Sequence, residues 1–203
     1  MKLLQIDSSL LGEASASRQL THAVVERIQR ENPGLDVIAR DLDAVPLPHL
    51  TGADLAASHQ PMDSLDAATR ARTETNATIL QEFLDADIVV VGAPMYNLGV
   101  PSVLKAWIDR ISVAGATFRY TEKGPEGLAG GKRVVLASTR GGLYAAGSPF
   151  AALDFQEAYL RAVFAFLGVT DVQVVRAEGL ALGPEQRQAA LQAALGEPVR
   201  QAA

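Results

Sequence analysis

Four serines and an arginine surround a short loop near the amino terminus, at Ser8, Ser9, Ser15, Ser17 and Arg18. The apolar run before them predicts a buried strand, and apolar residues at helical spacing after them predict a helix that begins near residue 17. The start of a helix offers unpaired N–H groups and the positive end of its dipole, which favour a phosphate. Serine is also an ordinary helix cap, but capping needs only one serine, so the cluster indicates a phosphate-binding loop.

A second loop follows the apolar run at 88–91 and carries a thioether, a phenol and an amide, at Met95, Tyr96 and Asn97. Ligands of open α/β sheets bind beyond the carboxyl ends of the strands. A flat, ring-bearing ligand would find backbone amides, a hydrogen-bonding side chain and apolar contact in this loop. The alternative is an ordinary connection between a strand and a helix.

A third loop follows the β-branched run at 132–139 and begins with Arg140, Gly141 and Gly142. Paired glycines allow a close backbone approach and positive φ angles. Taken alone, this loop is more typical of an ordinary turn than of a binding site. Its position relative to the other two loops gives it a functional interpretation.

Strands and helices alternate along the chain, which predicts a parallel sheet with helices on both faces, a three-layer α/β sandwich. Strands are predicted near 2–8, 35–41, 87–93, 132–139 and 171–177, and helices near 17–31, 64–85, 101–113, 152–167 and 184–195. In a five-stranded sheet of order 2-1-3-4-5, strands one, three and four are neighbours. Because the three loops follow those strands, they would converge on one crevice.

Composition narrows the classes of protein. A length of 203 residues with 48% hydrophobic side chains suits one domain over 1–203. No apolar run approaches the roughly 18 residues that cross a bilayer, and the net charge of −5 argues against broad nucleic-acid binding. Cysteine is absent and no signal peptide is evident, so we expect a cytoplasmic protein with neither membrane nor nucleic-acid partners.

Several site chemistries lack their motifs. The chain has no G-x-G-x-x-G after the first strand, no G-x-x-x-x-G-K-[ST] and no G-x-S-x-G. A Rossmann dinucleotide site, a P-loop enzyme and an α/β-hydrolase are therefore disfavoured. His22, His49 and His59 are scattered along the chain, so no metal site is expected.

Three segments outside these loops also carry predictions. The proline-containing stretch over 43–63 is expected to be irregular, and the weak alternation at 117–120 predicts a small hairpin near the crevice. The helix over 101–113 has more apolar side chains than one buried stripe needs. We therefore expect part of it to meet a second subunit, although the core is the default place for Trp107 itself.

The motifs, taken in order, resemble one known family across almost the whole chain. They are D-S-S at 7–9, S-A-S at 15–17, P-M-Y-N at 94–97, P-S-V-L-K-A-W-I-D at 101–109, T-F-R-Y-T-E-K-G-P-E-G-L at 117–128 and R-G-G at 140–142. Their order and spacing resemble the FMN-dependent NAD(P)H azoreductases of the bacterial type, which belong to the flavodoxin-like quinone reductases. The resemblance implies a single flavodoxin-like, FMN-binding domain.

The resemblance also implies which residues hold FMN. Ser9, Ser15, Ala16 and Ser17 would hold the phosphate. Met95, Tyr96, Asn97 and Leu98 would border the ribityl chain and the isoalloxazine, with Tyr96 and Asn97 positioning the flavin. Thr139, Arg140, Gly141 and Gly142 would contact the polar edge of the ring. The position of Leu98 is often aromatic in this family, which bears on substrate preference.

The activity that the resemblance implies is an NADH:quinone oxidoreductase and azoreductase. NADH or NADPH would reduce the flavin and leave, and a quinone or azo compound would then take the electrons, in a ping-pong two-electron exchange that yields hydroquinones or amines. No catalytic side chain is needed, because the cofactor carries the chemistry. A homodimer with sites at the subunit interface is implied. The alternatives are an NAD(P)H-dependent FMN reductase and a flavodoxin-type electron carrier, which is not an enzyme.

Overall fold

A computed structural model of the chain describes residues 1–58 and 60–199. Five parallel strands form the main sheet: β1 (Lys2–Asp7), β2 (Asp36–Asp41), β3 (Ile88–Pro94), β6 (Arg133–Thr139) and β7 (Asp171–Ala177). Their order is β2-β1-β3-β6-β7. A two-stranded hairpin, β4 (Phe118–Thr121) and β5 (Gly124–Gly127), lies between β3 and β6 along the chain. The predicted order 2-1-3-4-5 is the same arrangement counted without the hairpin, and it is confirmed.

Helices cover both faces of this sheet. They are α1 (Ala16–Glu31), α2 (Gly52–Ala57), α3 (Ala67–Asp85), α4 (Ser102–Ile111), α5 (Phe155–Phe166) and α6 (Pro184–Gly196). Side chains from α3, α4 and α5 pack in one apolar cluster, and those from α1 and α6 pack in another. The central strands β3 and β6 are buried along their whole length, as the near-continuous apolar runs of a parallel sheet require. Among the described residues, no helix is both long and apolar enough to cross a membrane.

The stretch over 43–63 is less irregular than predicted. Helix α2 forms within it, and Thr51 and Asp54 make a capping box at its start. A hydrogen bond from Arg72 of α3 is the largest of the contacts that hold the pKa of the buried Asp54 carboxyl down, to about 2. Proline and glycine in this stretch suggested a loop. The prediction missed that the Thr51–Asp54 pair can start a helix and that α3 can anchor it.

The hairpin predicted at 117–120 is confirmed, and none of its residues lines the crevice. Its base packs at the opposite edge of the sheet, where Gly127 lies against the backbone of Gly168 just before β7. A Cβ on Gly127 would lie 2.1 Å from the Gly168 nitrogen, so this contact requires glycine. Phe118 also packs on Phe166 at the end of α5, with ring centroids 4.5 Å apart.

Helix α4 buries most of its apolar side chains within the single chain, and Val103 is partly buried. Leu104, Trp107, Ile108 and Ile111 are each at most 2% exposed within the single chain. Trp107 packs edge-on against Phe83, with ring centroids 6.0 Å apart. The apolar excess serves the core between α3 and the sheet, so the reason given for a subunit contact on this helix is wrong.

Candidate functional site

The ends of β1, β3 and β6 meet at one edge of the sheet. Asp7 pairs with Gly92, and Pro94 pairs with Thr139. A hydrogen bond of 2.7 Å from the Met95 N–H to the Thr139 carbonyl then ties the second loop to the end of β6. The predicted convergence of the three loops follows directly from this register.

A crevice of about 210 Å³ opens between these loops. Its walls include eight of the predicted residues: Ser9, Ser15, Ala16, Met95, Tyr96, Thr139, Arg140 and Gly141. A larger hollow of about 490 Å³ lies at the opposite edge, between Met1, Lys132 and Asp171. We assign the functional site to the crevice, because ligands of this fold bind beyond the carboxyl ends of the strands.

The start of α1 forms one end of the crevice. Ser15 is the helix N-cap, since its hydroxyl accepts the Arg18 N–H at 3.2 Å, and the Ser17 hydroxyl lies 3.0 Å from it. Ala16 and Ser17 are the first two helical residues, so their N–H groups have no carbonyl one turn back within the helix. Ser15 therefore caps the helix, while the N–H groups of its two neighbours are left for another partner.

Arg18 does not add free charge to this end. Its guanidinium contacts both carboxylate oxygens of Asp41, at 2.5 and 2.8 Å, and donates to the Ser9 carbonyl at 3.0 Å. The hydrogen bond from Arg18 holds the pKa of Asp41 below its ordinary value, and the same bond raises that of Arg18. Arg18 thus fastens the first loop to the end of β2.

Tyr96 joins the first two loops. Its hydroxyl lies 3.3 Å from the Ser9 hydroxyl and accepts the Leu10 N–H at 3.1 Å. Ser9 in turn accepts the Leu11 N–H at 3.3 Å. The phenol therefore fixes the spacing of the two crevice walls, in addition to lining one of them.

A tight turn places Asn97 and Leu98. Tyr96 and Gly99 exchange backbone hydrogen bonds of 3.0 and 3.1 Å, and the two residues between them have φ angles of +50° and +70°. Positive φ at both central positions defines a type I′ turn, which glycine and asparagine favour. Asn97 suits this geometry, whereas Leu98 is held in a strained conformation of the kind that clusters at functional sites.

The Arg140 side chain turns away from the crevice into a cluster of carboxylates. It is fully buried and pairs with Asp154 at 2.9 Å, Glu157 at 2.5 Å and Glu178 at 3.4 Å. Arg176 donates to Glu157 as well. Burial alone would raise the pKa of Glu157, but the hydrogen bond from Arg176 and the charge of Arg140 hold it below its ordinary value.

This cluster shapes the third loop. The Glu178 carboxylate accepts the N–H groups of Tyr144 and Ala145 at 2.6 and 2.9 Å, which fixes the loop after the glycines. A Cβ on Gly142 would lie 3.1 Å from the Tyr144 ring, so a side chain there would press on that ring. The loop after β6 is therefore held by a carboxylate that follows β7, and the chain bends at Gly142.

Five residues that line the crevice were not predicted: Leu11, Pro94, Leu180, Ala181 and Arg187. Pro94 ends β3 and could have been inferred from the strand boundary. Leu180 and Ala181 follow β7, a strand whose loop carried no chemical signal. Arg187 lies in α6, a helix that the sequence gives no reason to connect with the first loop.

The described part of the chain contains no group of side chains that could hold a metal ion. No group of three or more His, Asp or Glu side chains there is arranged around a common point. Two of the three histidines considered from the sequence, His22 and His49, are described, and His59 lies outside the described residues.

Comparison with known proteins identifies the family. The family model for the Flavodoxin-like fold, Flavodoxin_2, matches residues 1–201, and the chain belongs to this family. The chain is 58% identical to the FMN-dependent NADH:quinone oxidoreductase of Ralstonia nicotianae, over 96% of this chain and 93% of that protein. A protein of the same name from Methylocella silvestris is 57% identical over 96% of this chain and 95% of its own length.

Solved structures agree with this assignment. An azoreductase from Bacillus anthracis matches with a TM-score of 0.85 at 30% identity, over 96% of this chain and 95% of that one. An FMN-dependent NADH-azoreductase from the same species, solved in complex with FMN, also has a TM-score of 0.85, at 28% identity over 96% of this chain and 93% of that one. The resemblance to the azoreductases and quinone reductases is confirmed.

Proposed function

We propose that this protein binds FMN in the crevice and uses it to pass two electrons from NADH to a quinone. The protein is an enzyme, an FMN-dependent oxidoreductase, as its relatives at 54–58% identity are. One observation carries the proposal for the site: a helix start whose first N–H groups have no carbonyl partner within the helix lies beside an apolar-walled crevice, beyond the carboxyl ends of β1, β3 and β6. That combination suits a ligand with a phosphate at one end and a flat ring at the other.

The hydrogen-bond donors at the start of α1 suit the phosphate of FMN. The N–H groups of Ala16 and Ser17, with the hydroxyls of Ser9 and Ser17, would hold the phosphate, while Ser15 keeps the helix start in place. Each donor sits on a fixed backbone, so little ordering is needed when an anion binds.

The loop over 95–98 would border the ribityl chain and the ring, and the loop over 139–142 would meet the polar edge of the ring. Gly141 is exposed on the loop over 139–142, whereas the Arg140 guanidinium is paired with carboxylates inside the protein. Bound FMN would accept two electrons from a nicotinamide and give them to a quinone. The chain itself contributes orientation, through the Tyr96 bridge and the strained turn at Asn97 and Leu98.

The two substrates are proposed to alternate at one place. A single crevice, formed by these two loops, leaves one face for a flat molecule. NADH and the quinone would therefore bind in turn, which is ping-pong exchange. Azo compounds would be reduced at the same place to amines, more slowly, because an azo bond needs two cycles.

A homodimer with sites at its interface is also proposed, on grounds other than α4. Large apolar side chains remain exposed around the carboxyl edge of the sheet: Leu10, Leu11, Leu143, Phe150, Leu153, Phe155 and Leu182. The crevice, at about 210 Å³, is smaller than the roughly 300–1,000 Å³ of ordinary ligand pockets. A second chain over these side chains would cover them and enclose the crevice. The cytoplasmic location and the single domain stay predictions from the sequence.

Steady-state consumption of NADH with menadione tests the activity. Fast NADH consumption that depends on both menadione and bound flavin is expected, with parallel initial-rate lines at several quinone concentrations. An electron carrier would consume no NADH by itself. An FMN reductase would need free FMN as its acceptor, and menadione would not replace it. Intersecting lines would mean that both substrates bind together and would overturn the single-crevice argument.

A further inference from the structure

Arg187 of helix α6 lies at the end of the crevice where the phosphate is proposed to bind. Arg187 lines the same crevice as Ser15 and Ala16, and its Nη2 donates to the Ala14 carbonyl at 3.2 Å. Ala14 directly precedes the cap of α1. Arg187, which is 173 positions beyond Ala14 along the chain, is therefore brought to the start of the first helix, where the donors of Ala16 and Ser17 lie.

The other arginines near the crevice are neutralised. Arg18 is paired with Asp41, and Arg140 is surrounded by Asp154, Glu157 and Glu178. Among the described residues, Arg187 has no carboxylate within 4.0 Å. It is thus the arginine of the crevice whose charge is not already balanced by the protein.

We infer that Arg187 pairs with the phosphate of the bound flavin and makes the site select FMN over unphosphorylated riboflavin; this rests on the proposed FMN function. A phosphate monoester carries about −1.5 to −2 charges near neutral pH, and the chain itself has a net charge of −5. Without Arg187, only the N–H and hydroxyl donors at the start of α1 would balance this negative charge, on a protein that is itself acidic. A guanidinium adds charge-assisted hydrogen bonds in a planar fork that matches phosphate oxygens.

The full-length protein, freed of flavin, is titrated with FMN and with riboflavin by fluorescence quenching. Arg187→Gln is expected to weaken FMN binding by about tenfold, the usual worth of one charge-assisted contact, and to leave riboflavin binding unchanged. Arg187→Lys should recover part of the loss. Arg161→Gln is the matched control, because it removes the same charge from an exposed position on α5.

The outcomes separate this inference from the function on which it rests. Equal FMN affinity in wild type and Arg187→Gln would overturn the role of Arg187 while leaving FMN binding intact. Parallel losses for FMN and riboflavin would also overturn it, since they would mean that Arg187 maintains the shape of the site. An equal loss in Arg161→Gln would reduce the effect to overall charge and overturn it too. Failure of the wild-type protein to bind either flavin would overturn the proposed function itself.

A salt series gives an independent readout. FMN affinity of the wild-type protein should fall as ionic strength rises, because a partly exposed ion pair is screened. The slope should be shallower in Arg187→Gln, and riboflavin affinity should show little dependence in either protein. Identical slopes for the two proteins with FMN would contradict the proposed pairing.

Discussion

The loops after β1 and β6 both border the crevice, but they use their polar groups in opposite ways. The loop after β1 leads into the start of α1, where the N–H groups of Ala16 and Ser17 have no carbonyl partner within the helix. In the loop after β6, the Arg140 side chain is buried inside the protein and paired with carboxylates. One loop is thus proposed to bind an anion, whereas the other holds a shape, and residue type alone does not distinguish them.

Removing Arg140 should have the largest effect. Arg140→Met leaves three carboxylates without their shared cation in a buried site, and we expect it to lower the free energy of unfolding by about 3–5 kcal/mol. Urea unfolding of the flavin-free protein measures this. Arg119→Met, which removes an exposed ion pair with Glu126 on the hairpin, is the control and should change little. A stable Arg140→Met protein with weak FMN binding would mean that Arg140 serves the ligand instead.

The first loop should show the reverse pattern. The double variant Ser15→Asn with Ser17→Ala keeps a good helix cap but removes hydroxyl donors, so stability without flavin should change little. FMN binding should weaken by about 2 kcal/mol, roughly thirtyfold, because hydrogen bonds to a charged group are lost. Fluorescence titration measures the affinity. Unchanged FMN affinity would place the phosphate elsewhere.

The turn at Leu98 should have an intermediate effect. Leu98→Gly relieves the positive φ, whereas Leu98→Val places a branched side chain in the same strained conformation. We expect the valine variant to be less stable than the glycine variant by about 1 kcal/mol. Thermal unfolding of both proteins gives the comparison. Equal stability would show that the turn changes conformation once the leucine is replaced.

The smallest effect near neutral pH concerns Glu157. Its pKa is below the ordinary value in the folded protein, so its ionisation stabilises the fold above that ordinary value, and the contribution disappears as pH falls through the lowered pKa. The stability contributed by this group should therefore be constant from pH 7 to 5 and decline in more acidic solution. Unfolding midpoints of wild type and Glu157→Gln, measured from pH 7 into more acidic solution, should differ by a constant amount down to pH 5 and converge below it. A constant gap down to the lowest pH would contradict this sign.

The architecture was largely predictable because local patterns report it. Apolar runs marked the parallel strands, most clearly the buried β1, β3 and β6, and periodic apolar residues marked the longer helices. The patterns failed where tertiary contacts decide. Thr51 and Asp54 could start α2 within a proline-containing stretch once Arg72 anchored Asp54. The sequence predicted one buried stripe on α4 and a second subunit over its remaining apolar residues. In the structure, α3 and the sheet together bury Trp107 and its neighbours.

The candidate site divides in the same way. The sequence by itself determined which loops carry donors and glycines and, through strand order, that these loops meet. Only the tertiary structure decided what each charge does, because an arginine's partners come from distant segments: Asp41 for Arg18, the carboxylates of α5 and of Glu178 for Arg140, and the Ala14 carbonyl for Arg187. Electrostatic interactions act through space, so their pairing is not written in the spacing of residues along the chain.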